Sequence, residues 1–223
     1  MNAKLVIEAL VKFLAGVVLV AAMLFVPAGS LHFWQGWLLM AVLFVPIFVV
    51  GVVMILCDRE LLRKRLNAKE RDSKQNVVVK ISGLLFIASF ILAAFNWRYG
   101  WMILPDWVVW LAAVVFVLCY LLYAEVLREN AYLSRTIEVV EGQRVIDTGL
   151  YSIVRHPMYT ATTLLFLAMP LVLASPISLL VMLLYVPLII IRIKREEALL
   201  ERELEGYSDY MRRVKYRLLP YIY

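Results

Sequence analysis

Apolar residues along this chain gather in six long runs, at roughly 10–28, 33–57, 77–97, 107–124, 157–174 and 177–193, separated by polar or basic stretches. Runs of this kind are the signature of membrane helices rather than of an apolar soluble core. Most approach the ~20 residues a helix needs to cross ~30 Å of hydrocarbon. The last two are shorter, and only Ala174-Ser175-Pro176 joins them. With Pro157 at a first helical position and Pro176 in the turn, they predict a tight helical hairpin. The expected fold is all-α: a multi-pass integral membrane protein of about six transmembrane helices ending in a helical hairpin. It is read as one membrane domain over 1–223, with four transmembrane helices in 1–124. Residues 125–223 hold a connector, the hairpin and a tail.

The connecting loops set the expected orientation. Two basic residues, Lys4 and Lys12, lie in the N-terminal stretch, eight in 58–80, four in 125–156 and eight in 192–223. The alternate loops hold only Arg98, so 22 of 23 basic residues fall on one side. The positive-inside rule makes that side cytosolic, with both termini there. The membrane is read as the plasma membrane or the endoplasmic reticulum. All six tryptophans (Trp34, Trp37, Trp97, Trp101, Trp107 and Trp110) fall at the opposite ends of the spans, as an interfacial aromatic belt does. Val26-Pro27-Ala28 resembles a signal-peptidase site behind a short apolar region, but the first segment is read as a retained helix. Glu8 and Lys12, one turn apart, read as an interfacial ion pair.

Composition agrees with this picture. Hydrophobic residues make up 64% of the 223 and charged residues 18%, and the mean hydropathy is +0.83. A soluble domain is nearer half apolar and a quarter charged. The net charge of +6 would suggest nucleic acid in a soluble protein; topology explains it here, and no nucleic-acid partner is expected. Cys57 and Cys119 lie in apolar runs without metal-binding spacing, so neither a disulfide framework nor a metal site is expected. The basic 58–80 loop reads as an orientation signal that also touches anionic headgroups.

Two segments on the basic side carry candidate chemistry. The first is Asp147-Thr148-Gly149-Leu150-Tyr151-Ser152-Ile153-Val154-Arg155-His156-Pro157-Met158-Tyr159. It places Arg155, His156, Tyr151 and Tyr159 at the mouth of the fifth run. A helix start beside an arginine fork is a receptor for carboxylate or phosphate. The plain alternative is that Arg155 and His156 snorkel at the interface. The second segment follows the sixth run: Arg192-Ile193-Lys194-Arg195-Glu196-Glu197-Ala198-Leu199-Leu200-Glu201-Arg202-Glu203-Leu204. Helical spacing aligns Arg192, Glu196, Leu200 and Leu204, which predicts that Glu196 faces protein. Glu197 falls with Glu201 and Glu205 on a stripe expected to be more solvated. An inward carboxylate beside an arginine at the end of a membrane helix is a functional candidate. The hairpin would bring Arg155, His156, Tyr159, Arg192 and Glu196 to one pocket. Cationic donors, a carboxylate and aromatic rings together are the groups that hold an amino-acid zwitterion beside a cationic centre.

The combination Arg155-His156-Pro157-x-Tyr159, Glu196-Glu197, Gly206-Tyr207-x-x-Tyr210 and Val214-Lys215-Tyr216-Arg217-Leu218-Leu219-Pro220 resembles the isoprenylcysteine carboxyl methyltransferase and phospholipid methyltransferase group. The resemblance covers about residues 125–223, including Arg128-Glu129-Asn130 and Glu141-Gly142-Gln143. Leu150 departs from the pattern, which usually has proline before the tyrosine; this loosens a preset turn and removes no functional group. The resemblance implies S-adenosylmethionine as methyl donor and a lipid-borne or prenylated acceptor entering from the membrane. It implies that Arg155, His156, Tyr159, Tyr151, Glu196 and Glu197 form the cofactor site, and that Arg192 and Glu196 sit nearest the reacting centre. The expected activity is carboxyl O-methylation of an isoprenylcysteine-like acceptor, with phospholipid N-methylation as the alternative. A sterol or steroid reductase using NADPH has a similar Arg-His-Pro element, but no separate basic cluster here suits a dinucleotide phosphate. A small non-enzymatic carrier would show repeats or mid-membrane charges, and neither is found.

Overall fold

The computed structural model describes residues 3–57, 62–63, 66, 73–130, 132 and 142–223. Much of the 58–80 loop, and Glu141 of the connector, lie outside the described residues. Helices account for nearly all regular structure: α1 (Ala3–Ala28), α2 (Trp34–Cys57), α3 (Ser73–Tyr99), α4 (Asp106–Glu129), a 3₁₀ turn at Gly149–Ser152, α5 (Pro157–Val172), α6 (Pro176–Leu183), α7 (Tyr185–Glu203) and α8 (Tyr207–Arg213). No strand occurs among the described residues.

Among the described residues, five stretches are long and apolar enough to cross a membrane: 4–28, 34–57, 77–99, 106–129 and 176–203. Each follows from an apolar run too long to be covered inside a protein this size. Many of their large side chains stay exposed, among them Ile7, Val18, Val45, Leu84 and Leu118; these are the surfaces that hydrocarbon would cover. The sequence predicted six spans, and the difference lies in the hairpin. Its first arm, α5, has only 16 residues and is about 24 Å long at 1.5 Å per residue. Its second arm runs on through α6 and α7 with a break at Leu184. Pro187 explains the break, because it has no N–H to give the carbonyl four residues back, at Leu183.

Packing is tightest where small residues let backbones approach. Ala112 and Ala113 of α4 and Ala161 and Ala168 of α5 are buried, and these two helices run together. α3 packs on α1 and on α6. Ser178 of α6 donates to the Ser89 carbonyl of α3 at 2.9 Å, and the Ser175 hydroxyl caps α6 by accepting from Ser178 N. Leu104 N donates to Ala174 O at 3.1 Å, so the hairpin turn lies at the tryptophan-rich end. There, Trp34 stacks on Trp110 and Phe33 packs on Trp97. At the other end of α1, Lys12 pairs with Glu8 at 2.7 Å, as expected. The consequence for function is positional: α4 and α7 end, and α5 begins, at the basic side, next to the 3₁₀ turn, α8 and the tail.

Candidate functional site

On α7 the buried residues are Tyr185, Ile189, Ile193 and Glu197, four apart. The buried stripe therefore continues into Glu197, which is only 3% exposed, while Glu196 is half-buried. This reverses the predicted order of the pair. Leu200 and Leu204 had marked the inner face, but the tail after α8 folds back and covers the next stripe round. Helical periodicity registers only which residues share a face, not what later chain will lie on it.

Glu197 is held by three groups. Oε1 accepts from Arg155 Nε at 2.7 Å and lies 3.2 Å from His156 Nε2; Oε2 accepts from Arg217 Nε at 2.7 Å. Arg155 and His156 are 7% and 5% exposed, so they do not snorkel into the interface. Arg155 Nη1 donates further to the carbonyls of Val214 and Lys215, at 2.7 and 3.0 Å. The backbone seals the same seam: Arg155 N donates to Tyr216 O and His156 N to Arg217 O, both at 2.9 Å. Arg217 has its pKa raised, so it holds its proton more tightly; burial works against the charge, but the hydrogen bond and field of Glu197 outweigh it. A buried carboxylate with several cationic donors stays ionised and satisfied. The Arg-His-Pro element, the second glutamate and the tail thus form one ionic joint.

The other predicted residues face a cavity beside this joint. Tyr159 O–H donates to Glu196 Oε2 at 2.5 Å and accepts from Arg192 Nε at 2.9 Å. The cavity is lined by Tyr159, Arg192 and Glu196, by His156 and Arg155, and by the apolar side chains of Met158, Leu200, Leu204 and Val145. Tyr151 also lines it; its hydroxyl accepts from Asn130 Nδ2 at 3.0 Å, and its carbonyl from Tyr210 O–H at 2.7 Å. So all six residues proposed for the cofactor site, and Arg192, come together. Arg155 and Glu197 serve chiefly in the joint, and Tyr159, Arg192 and Glu196 chiefly in the cavity.

Several residues that shape this region were not singled out from the sequence. Glu129 closes α4 onto the 3₁₀ turn, its carboxylate accepting from Leu150 N at 2.9 Å. Gly149 makes room for that carboxylate: a Cβ there would lie 1.7 Å from Glu129 Oε1, and φ is +52°. Tyr207 follows Gly206, whose φ of +82° turns the chain into α8. Its ring is buried against the cavity, and its hydroxyl has no hydrogen-bond partner among the described residues. Burial, and then the nearby Glu197 and Glu196 carboxylates, push that phenol well above its ordinary range. Glu129, Tyr207 and Arg217 all lie in the motifs quoted above, which was the available signal.

Residues 107–205 match the model of the phospholipid methyltransferase family. The matched stretch includes Arg155, His156, Tyr159, Arg192, Glu196 and Glu197, and ends before Tyr207 and Arg217. No curated protein matches the chain. The match supports a membrane methyltransferase and is consistent with the group that the motifs resemble.

Proposed function

We propose that this membrane methyltransferase takes its methyl group from S-adenosylmethionine and passes it to an acceptor carried on a lipid or prenyl chain, a carboxylate in the first reading. The observation that supports this is the file Arg192–Tyr159–Glu196 at the cavity edge, linked at 2.9 and 2.5 Å. The lining fits the cofactor group by group. Arg192 suits an amino-acid carboxylate, Glu196 an ammonium, and Leu200, Leu204 and Val145 offer apolar surface to a flat base. The Tyr207 hydroxyl, unpaired among the described residues, is a buried donor of the kind a ligand satisfies.

Bound there, the cofactor would supply an electrophilic methyl group on a sulfonium. The chain's contribution is orientation and exclusion of water. Arg192 and Glu196 would fix the two ends of a zwitterion, with Tyr159 locking both side chains. Arg155 and Glu197 would hold the cavity wall without touching the reacting atoms. A carboxylate acceptor is ionised at neutral pH and needs no base. The position of the cavity at the basic end, where 22 of 23 basic residues fall, supports a cytosolic site reached from the membrane by a head group whose tail stays in hydrocarbon.

The description of the matching family favours a second reading, a phospholipid amine. An amine must lose a proton before it attacks, and Glu196 or His156 would then act as base. The test is transfer of tritiated methyl from S-adenosylmethionine to prenylcysteine analogues and to total lipid, with calorimetric titration of S-adenosylhomocysteine and of NADPH into the purified protein. Label on the prenylcysteine carboxyl, and binding of S-adenosylhomocysteine alone, are expected. Binding of NADPH alone would overturn the reading.

A further inference from the structure

Five tyrosines line the cavity: Tyr132, Tyr151, Tyr159, Tyr207 and Tyr210. Four have hydroxyl partners. Tyr132 O–H donates to Gly142 O, the Tyr151 oxygen accepts from Asn130, Tyr159 O–H donates to Glu196, and Tyr210 O–H donates to Tyr151 O. Tyr207 differs. It is 4% exposed, and its hydroxyl is unpaired among the described residues. A buried hydroxyl without a partner costs on the order of 1–3 kcal/mol, and nothing in the packing of Tyr207 requires one. Its ring stands 5.6 Å from the Tyr210 ring, a contact that phenylalanine would make equally well. The hydroxyl therefore has no use in the fold by itself.

Resting on the S-adenosylmethionine reading above, we propose that Tyr207 is a ligand-contacting residue whose hydroxyl donates a hydrogen bond to the nucleoside part of the cofactor. Two features assign the donor to that part. Arg192 and Glu196 already provide complementary charges for the amino-acid end, and they are tied together through Tyr159. At Tyr207 the strongest charges are instead the Glu197 and Glu196 carboxylates, ahead of Arg155. A phenol beside two carboxylates stays protonated, and an anionic acceptor would be repelled there. A neutral acceptor, a ring nitrogen or a ribose oxygen, is the group that fits. The adjoining apolar wall of Leu204 and Val145 suits the face of a base.

The test compares wild type with Tyr207→Phe in detergent, titrating S-adenosylhomocysteine and 5′-methylthioadenosine, which keeps the nucleoside and lacks the amino acid. The variant should lose about tenfold in affinity for both ligands, the size of one donated hydrogen bond. Its melting temperature without ligand should be unchanged or higher. Unchanged affinity for both ligands overturns the proposal. So does a loss confined to S-adenosylhomocysteine, which would place the hydroxyl at the amino-acid end. A marked fall in ligand-free melting temperature, or failure to fold, overturns it too, because the hydroxyl would then be structural. Wild type that binds S-adenosylhomocysteine but not the nucleoside refutes the assignment while leaving the cofactor reading intact. Wild type that binds neither sinks the cofactor reading itself, and this proposal with it.

Discussion

Arg155 Nε donates to Glu197 Oε1 at 2.7 Å with both side chains almost wholly buried, across 42 residues of sequence. The contact ties the start of α5 to α7, and Arg217 brings the tail onto the same carboxylate. Removing one partner of a buried pair costs roughly 3–5 kcal/mol, because the remaining charge is left uncompensated. Glu197→Gln strands two arginines at once. It should lower the melting temperature of the ligand-free protein by about 10 °C, since 1 kcal/mol shifts a chain of this size by roughly 2–4 °C. Thermal unfolding in detergent measures this. A shift under about 2 °C would show that the joint is not structural.

Tyr159 and Glu196 make the opposite prediction. Glu196 is half-buried and the Tyr159 hydroxyl bridges it to Arg192, so these groups can change without stranding a fully buried charge. Tyr159→Phe and Glu196→Gln should melt within a few degrees of wild type. Each should weaken S-adenosylhomocysteine binding by tenfold or more, on the order of one charge-assisted hydrogen bond. Calorimetric titration reads the affinity. Wild-type affinity in both variants would remove this edge of the cavity from the binding site.

The contrast between these two glutamates shows what the sequence could reveal. The spans were legible because hydrocarbon demands long apolar runs, and the hairpin because Pro157 and Pro176 mark its helix starts. The gathering of Arg155, His156, Tyr159, Arg192 and Glu196 followed from that hairpin. The order of Glu196 and Glu197 did not. A stripe on α7 becomes interior only when Val214–Arg217 lies over it, and that return of the tail is a long-range event with no local period. The break at Leu184 was signalled by Pro187, yet the long apolar run around it masked the signal. Glu129 and Gly149 were hidden for a related reason: their contact joins two segments 20 residues apart through a turn.

That contact yields its own prediction. Gly149→Ala places a methyl group in the space of the Glu129 carboxylate and puts a side chain at φ +52°. The clash and the backbone strain should together cost about 2 kcal/mol or more. Removing the carboxylate relieves only the clash. The double variant Glu129→Ala/Gly149→Ala should therefore be more stable than the sum of the two single changes implies. Melting temperatures of the four proteins close the cycle. Strict additivity would mean that Glu129 does not fill the space beside Gly149.

The acceptor leaves a signature in the pH dependence of turnover, independent of any assay for product. A carboxylate titrates near pH 4 and an alkyl amine near pH 10. Between pH 6 and 8.5 a carboxylate acceptor is fully ionised, so the rate at saturating cofactor should be flat. An amine acceptor is almost wholly protonated in the same window. Its reactive fraction, and with it the rate at low acceptor concentration, should rise about tenfold per pH unit until a base or the amine itself titrates. The proposed carboxylate reading predicts the flat profile, and it should survive Glu196→Gln with only the loss that weaker cofactor binding explains. A rising limb of unit slope would assign the acceptor as an amine. If Glu196→Gln then abolished turnover at saturating cofactor, Glu196 would be the group that takes the proton.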